Sequence, residues 1–294
     1  MNLLVTNNTL GNIPGGSEWH AHELALALHR KGHNVTAYTP VSGWFGNSLI
    51  DKGVKVCAKP PRGDFDLILA SHLSTIRRID RDQTRGKMIQ ICHGVTPPLE
   101  QPSDKVDAHV AISEEVQDHL SSKGVSSKVI YNGVDHNKFL DHNGGEGVLS
   151  LCQGPEANRL IESACKKIGC RFAFMNKTTN PSFELEFVIP KYNTVVAIGR
   201  GAYEAMACNR NLIVADSRGY VEGGTITDGI ATTDNLPDIM KNNCSGRRTK
   251  KNLGMDRLIP MLERCLSKEK SNLRSFSEKE LNIDIQADKY LSMV

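Results

Sequence analysis

Residues 3–38 read LLVTNNTLGNIPGGSEWHAHELALALHRKGHNVTAY, and the hydrophobic period changes twice along them. Leu3–Thr6 is a short continuous apolar run, the mark of a strand buried on both faces. A loop of Gly, Pro and Asn, Gly11–Gly16, follows it. From Ser17, placed as an N-cap, Ala21, Leu24, Ala25 and Leu28 fall at i, i+3, i+4 and i+7 and make one apolar helix face. Lys31-Gly32 stops that helix, and Asn34–Tyr38 returns to a strand. Strand, glycine-rich turn, helix and strand together specify a parallel β-α-β unit.

The same alternation runs outward from this unit. Strands are expected at Asp66–Ala70, Met88–Cys92, Ala108–Ile112 and Lys128–Tyr131. Ser113 is placed to cap a helix whose first turn carries Glu114 and Glu115 near the positive helix end. Asp141–Gly147, rich in Gly, Asn, His and acidic residues, reads as a linker. The pattern then restarts with a strand at Val148–Cys152 and a helix carrying Ala157, Leu160, Ile161, Ala164, Cys165 and Ile168, stopped by Gly169. Arg171–Met175, Phe183–Ile189, Thr194–Ile198 and Asn211–Ala215 are further strand candidates. Helices are expected at Ala202–Cys208, Asn235–Lys241, Asp256–Ser267 and Ser277–Ser292. The two halves repeat an architecture and not a sequence: an α/β chain of two Rossmann-like, doubly wound parallel-sheet domains, residues 1–143 and 144–275.

A chain of 294 residues, 39% hydrophobic and 23% charged, can bury two such cores and has the composition of a globular protein, not a disordered one. Met1–Thr9 has no basic n-region, its apolar run is too short for a signal peptide, and no stretch approaches the ~20 apolar residues of a membrane span. A cytoplasmic protein without stable membrane insertion is the expectation. The eight cysteines are scattered without a C-x-x-C pair. Cys152, Cys165 and Cys208 sit in apolar patterns and read as small buried hydrophobes, and Cys165 and Cys170 lack metal-ligand spacing. A net charge of +3 is too slight to argue for nucleic acid.

Two segments carry chemistry. Gly11–Ser17 opens a helix after the first strand, where unpaired N–H groups and the helix dipole favour an anion and paired glycines allow close approach. It is not the G-x-G-x-x-G dinucleotide fingerprint, and no acidic residue ends the following strand to hold a ribose. The second segment is Ile198–Cys208, IGRGAYEAMAC, a strand running into a glycine-rich turn and a helix. The amides of Gly201, Ala202 and Tyr203 are placed to meet an anion, with Gly199 shaping the turn and Arg200 adding a charge-assisted contact. Glu204, in the first turn, is placed either to accept hydrogen bonds from ribose hydroxyls or to complement the dipole.

Taken together these segments resemble the retaining glycosyltransferases of family 4, which have the GT-B fold. GGSEWHAHELALALHRKGHNVTAYTP looks like the family's opening loop, helix and second strand. HVAISEEVQDHL with VIYNGVDHNKF looks like the end of its first domain, and GAYEAMACNRNLIVADSRGYVEGG like its donor-binding region. FSEKELNIDIQADKYLSMV is similar to its C-terminal helix, which implies that residues 276–294 pack back on the first domain. The most specific pieces are Asn132-Gly133-Val134-Asp135 and Glu204-Ala205-Met206-Ala207. The resemblance implies a UDP- or GDP-sugar donor and a hydroxyl acceptor, whether glycan, lipid-linked or small molecule. It also implies transfer with retention, no catalytic metal and no other cofactor. Glu204 matches the glutamate on the nucleotide ribose, Gly15 and Gly16 the glycines at the donor, and His93 a histidine near the transferred sugar. Glu18 and His72 are acceptor-side candidates.

The sequence departs from this family at Val196, eight positions before Glu204, where an acidic residue is usual. After Cys152, Gln153, Gly154 and Arg159 replace the usual Arg and Lys, and Arg200 is the candidate substitute. Three rivals follow. Asp64-Phe65-Asp66 matches by letter the Asp-x-Asp metal site of the GT-A fold, but it precedes a strand where a metal site would follow one. Arg77, Arg78, Arg81 and Arg85, taken as one helix face, and Arg247–Lys251 read first as solvated faces, with Asp80 and Asp82 interleaved. The alternatives are contact with an anionic membrane surface or with a DNA backbone, the latter suiting a transferase acting on modified bases in DNA, although aromatic residues for stacking are only 5% of the chain. The third rival is a non-catalytic nucleotide-sugar-binding protein of the same fold.

Overall fold

In the computed structural model β1 (Asn2–Thr6) leads into α1 (Gly16–Arg30) and β2 (Asn34–Tyr38), and β2 pairs parallel with β1 from Asn2↔Asn34 to Thr6↔Tyr38. The structure describes residues 1–218, 224–267 and 271–294. They form two units, Met1–Gly133 with Ile283–Val294, and Val134–Asn282. In the first unit the chain continues through α2 (Trp44–Asp51), β3 (Lys55–Cys57), β4 (Gly63–Ser71), α3 (Leu73–Ile76), β5 (Thr84–Cys92), β6 (Ala108–Ala111), α4 (Glu114–Ser121) and β7 (Lys128–Val129). The sheet order is β3-β2-β1-β4-β5-β6-β7, with every pair parallel. Strand order reverses between β1 and β4, which makes the carboxyl ends of those strands the switch point of the unit. Ser113 does cap α4, its Oγ accepting the Val116 N–H.

Helix α1 starts two residues earlier than the Ser17 cap implies. Gly15 is the N-cap, and the Ser17 hydroxyl turns to Glu18 Oε2 at 3.0 Å. The helix is also buried beyond one face, from Trp19 through Leu28, because α2 packs on it and Trp19 and His22 interlock with Trp44 and Phe45.

The second unit runs β8 (Val148–Ser150), α5 (Pro155–Ile168), β9 (Phe172–Phe174), α6 (Leu185–Val188), β10 (Thr194–Ala197), α7 (Gly199–Ala207), β11 (Asn211–Asp216), β12 (Ile226–Ile230), α8 (Leu236–Met240), β13 (Lys251–Asn252), α9 (Met255–Leu266) and α10 (Arg274–Glu280). Its sheet order is β13-β12-β11-β10-β8-β9. Strands β9, β8, β10 and β11 are parallel, but β12 and β13 are antiparallel, so this sheet is parallel-dominated and not wholly parallel. Cys152, Cys165 and Cys208 are buried free thiols, the first two within the apolar core between the sheet, α5 and α9. The strand expected at Phe183–Ile189 is instead α6 with a 3-10 turn, Ile189–Lys191. Leu185, Val188 and Ile189 have the i, i+3, i+4 spacing of a helix, and Pro190 lacks the N–H that a strand ladder needs.

The unit divisions fall at Gly133/Val134 and Asn282/Ile283, not at 143/144 and 275/276. The 141–147 segment belongs to the second unit because fully buried Arg210 fastens it: Nη1 donates to the Gly144 carbonyl at 2.6 Å, and Nη2 to Asp141 Oδ1 at 3.1 Å and to the His142 carbonyl. The helix expected at Ser277–Ser292 is broken. Leu281 accepts the Val134 N–H at 2.7 Å, and Asn282 bridges to Val134. α10 stays with the second unit, where Arg274 donates to the carbonyls of Phe139 at 2.7 Å and Ala207 at 2.5 Å. α11 (Ile283–Leu291) packs on α1 in the first unit. Gly133 permits this close approach, since a Cβ there would lie 2.5 Å from Ile283 Cα, and its N–H donates to Gln286 Oε1 at 3.0 Å. No helix among the described residues is long and apolar enough to cross a membrane.

Replacing Arg210 by Ala removes a donor from Asp141, from the carbonyls of Gly144 and His142 and, through Nε, from that of Cys208. Urea denaturation of Arg210→Ala should show a loss of about 3–5 kcal/mol, and limited proteolysis should cut within 141–147 faster than in the parent.

Candidate functional site

In the first unit the predicted residues collect at the carboxyl ends of β1, β4 and β5. His72 follows β4 and caps α3 with φ 70°, a left-handed backbone that is uncommon for a side chain larger than glycine. His93 follows β5. Two side chains that the sequence reading passed over organise this corner. Glu100 is buried and accepts the His93 N–H through Oε2 at 2.8 Å, while His72 Nε2 meets its Oε1 at 3.2 Å. His20, one turn into α1, sets its ring 4.9 Å from that of His93 and meets the Gln286 side chain at 3.2 Å. Ser71 Oγ lies 3.1 Å from His93 Nε2. His20 had a signal, four residues after Gly16 on the same helix side. Glu100 had none, since only the fold brings it to His72 and His93.

Burial sets the protonation of this corner. It pushes His93 down to about 3; the Glu100 charge opposes that shift, and His20 and His72 add to it. The ring is therefore neutral at pH 7. Burial alone would raise Glu100, but the His72 hydrogen bond, the neighbouring His93 and the His93 amide hold it below the ordinary carboxylate range.

Gly15 and Gly16 differ. A Cβ at Gly15 would lie 2.2 Å from Glu18 Oε2, so Glu18 folds back over the start of α1 and occupies that space. A Cβ at Gly16, which is exposed, meets no atom within 4 Å. Packing within the unit therefore does not require glycine at 16.

In the second unit the predicted residues form the start of α7, at the carboxyl end of β10. Gly199 has φ 53° and donates its N–H to the Cys244 carbonyl at 3.0 Å. Gly201 sits against Leu151, whose Cδ1 would be 3.2 Å from a Cβ. Because α7 begins at Gly199, helical geometry leaves the amides of Arg200 and Gly201 outside the internal ladder and draws those of Ala202 and Tyr203 into it. Of the predicted Gly201–Tyr203 amides, those of Ala202 and Tyr203 thus belong to the helical ladder. Ala202 and Tyr203 are buried, the tyrosine hydroxyl donating to Asn243 Oδ1 at 2.9 Å. Arg200 and Glu204 form a buried pair one turn apart, Nε to Oε1 at 2.7 Å, with side chains 7% and 3% exposed.

The neighbouring turn after β8 is closed by Asp216. Its carboxylate accepts from the N–H groups of Gly154 at 3.0 Å, Gln153 at 3.4 Å and Ser217 at 2.7 Å. Val196 lies inside β10 with its side chain in the core, so the position eight residues before Glu204 is not a site position here. An acidic side chain there would be buried among Cys152, Ile213 and Ala215. Residues 219–223 of the expected donor-binding stretch lie outside the described residues.

The rival constellations come apart. Asp64 and Asp66 sit at the amino end of β4, Asp64 paired with Arg85 at 2.6 Å and Asp66 accepting the Asn2 N–H at 2.6 Å. The four arginines do not share a helix face. α3 ends at Ile76, Asp80 turns the chain by accepting from the Asp82 amide and the Gln83 side chain, and Arg85 lies in β5. Arg248 forms a bidentate pair with Asp238. Among the described residues no group of three or more His, Cys, Asp or Glu is arranged to hold a metal ion.

No protein-family model matches the chain, and no curated protein matches it in sequence. Solved structures do match it. HepE of Anabaena, in complex with UDP and glucose, has a TM-score of 0.65 at 13% identity, covering 100% of this chain and 99% of that one. Sucrose-phosphate synthase of Thermosynechococcus elongatus gives 0.60 at 12%, covering 100% and 98%. AviGT4, a glycosyltransferase involved in avilamycin A biosynthesis, gives 0.64 at 13%, covering 99% and 96%. At these identities the likeness concerns the fold, which is GT-B: two Rossmann-like α/β units with parallel-dominated sheets.

Two outcomes follow. Arg200→Ala or Glu204→Ala alone breaks a buried ion pair and should cost about 3–5 kcal/mol, whereas Arg200→Met with Glu204→Leu should lose less than the two single losses added together; urea denaturation of the three variants checks this. A histidine held neutral in the folded chain but free to protonate when unfolded gives stability that is complete above the ordinary 6.5 and is lost as pH falls toward 3. Between pH 7 and pH 5 this should remove about 2 kcal/mol. His93→Gln should flatten that part of the pH–stability curve, leaving the share owed to His109 and His136, whose pKa values burial also lowers.

Proposed function

We propose that the chain is a glycosyltransferase of the retaining family 4, moving a sugar from a nucleoside-diphosphate sugar to a hydroxyl acceptor without a catalytic metal. The observation that carries this reading is the start of α7. There the first turn of a glycine-rich helix, Gly199–Gly201, sits at the carboxyl end of β10 beside the buried Arg200–Glu204 pair. Amides at a helix start suit a diphosphate, and a buried, oriented carboxylate suits a pair of ribose hydroxyls. The fold supports the reading, since HepE is a solved neighbour that holds UDP-glucose.

In this reaction the bond between the anomeric carbon and the phosphate oxygen breaks with its electron pair leaving on the diphosphate. The acceptor oxygen bonds to the same face of the anomeric carbon, and its proton passes to the departing phosphate. The amides of Arg200 and Gly201 stabilise the growing phosphate charge, with Arg200 acting jointly with Glu204. His93, kept neutral, orients a sugar hydroxyl through a hydrogen bond without adding a positive charge. Gly16 leaves room for the donor at the start of α1, and Glu18 and His72 belong to the acceptor side.

Gly16→Ala separates function from folding, because a Cβ at that position meets nothing. Stability should stay within about 0.5 kcal/mol of the parent, while transfer or donor hydrolysis across a panel of UDP- and GDP-sugars should fall at least tenfold. The parent should gain melting temperature with UDP or GDP, keep its activity in EDTA, and give product of unchanged anomeric configuration by NMR. Nucleotide binding without any turnover would instead favour a non-catalytic nucleotide-sugar binder, and no binding at all would overturn the assignment.

A further inference from the structure

The second unit has another cavity, at the opposite end of its sheet from α7. It has a volume of about 500 Å³ and is lined by His142, Glu146, Arg171, Glu186, Phe187 and Lys191, among others. Glu146 precedes β8, Arg171 precedes β9 and Lys191 precedes β10. The cavity therefore opens at the amino ends of three adjacent parallel strands, with the four residues of β10, roughly 13 Å of chain, between it and Gly199.

Three features of the lining point to one ligand chemistry. Phe187 is 64% exposed, the most exposed large apolar side chain among the described residues, and presents an aromatic surface at the cavity. Glu186 pairs with Lys138 through Oε1 at 3.2 Å, while its Oε2 is buried with no hydrogen-bond partner among the described residues. A buried carboxylate oxygen without a donor is costly, so the lining wants an O–H or N–H from whatever enters. Arg171, stacked over the Tyr192 ring at 4.9 Å, and Lys191 supply donors on the same wall. Carboxylates only accept and cationic side chains only donate, so a ligand satisfying both must carry groups that do each. Sugar hydroxyls do both, and the apolar C–H face of a pyranose fits an exposed aromatic ring. A phosphate would find Arg171 and Lys191 but would be opposed by Glu146 and Glu186. The volume falls within the ~300–1,000 Å³ of ligand pockets.

We propose that this cavity is a glycan-binding site, separate from the donor site, in which a pyranose ring stacks on Phe187 and donates a hydroxyl to Glu186 Oε2. The site needs no donor chemistry and stands whether or not the chain transfers sugar. Titration calorimetry of the full chain with a panel of neutral di- and trisaccharides (gluco-, manno-, galacto- and N-acetylglucosamine-linked) tests it, with UDP and inorganic phosphate as further probes. At least one trisaccharide should bind saturably, Phe187→Ala should weaken it at least tenfold, and saturating UDP should leave it in place. Phe187 is exposed, so its removal should leave the circular dichroism spectrum and melting temperature as in the parent. Glu186→Gln, which keeps the shape and loses the charge, should weaken binding several-fold. The assignment falls if no member of the panel binds, if Phe187→Ala binds as the parent does, if UDP displaces the sugar, or if phosphate alone occupies the cavity.

Discussion

A parallel strand must return its chain to the far end of the sheet before the next strand can begin, so every strand-to-helix turn of such a sheet opens on the same edge. This constraint governs both units. In the first it brings the start of α1, the left-handed His72 and the strand-end His93 to neighbouring strand ends, although they lie up to 77 residues apart in sequence, from Gly16 to His93. In the second it sets two helix starts side by side, after β8 and after β10. The two starts are treated differently: Asp216 occupies the amides after β8, whereas the start of α7 carries the buried Arg200–Glu204 pair.

Buried charge is handled in pairs, and two of the pairs tie together segments that are distant in sequence. Arg210 with Asp141 fastens the 141–147 stretch to the second unit, and Glu100 with His72 fixes the corner around His93. Such pairs contribute little net stability when intact but are costly to break, so their value is positional. The Arg200–Glu204 pair is equally buried, but it joins two residues of a single helix turn. Its charge is balanced within the fold.

The order of elements was legible because period and punctuation agreed: Leu3–Thr6, the α1 apolar face, the Ser113 cap and the Gly169 stop each did what local chemistry dictates. Where reading failed, either a competing local signal or a long-range partner decided. Phe183–Ile189 contains Leu185, Val188 and Ile189 at helical spacing, but its aromatic and β-branched residues suggested a strand. The break between α10 and α11 depends on Leu281 and Asn282 pairing with Val134, which no local pattern announces. The arginines from 77 to 85 have helical spacing, yet the Asp80 turn and the strand carrying Arg85 prevail. In the site, glycines and strand-end histidines were visible as letters. Glu100 was not, because its role comes from meeting two histidines across the fold.

Glycine is where a sequence most readily overstates function, and the three helix-start glycines separate the causes. Gly199 is explained by its φ of 53°, and Gly201 by the nearness of Leu151. Either would be glycine in a protein that bound nothing at that turn. Gly16 has ordinary helical surroundings, lies exposed, and a side chain there would touch no atom of its own unit. A glycine at the first position of a helix loses backbone entropy on folding that alanine would not. Backbone conformation and packing thus account for Gly199 and Gly201, and neither accounts for Gly16.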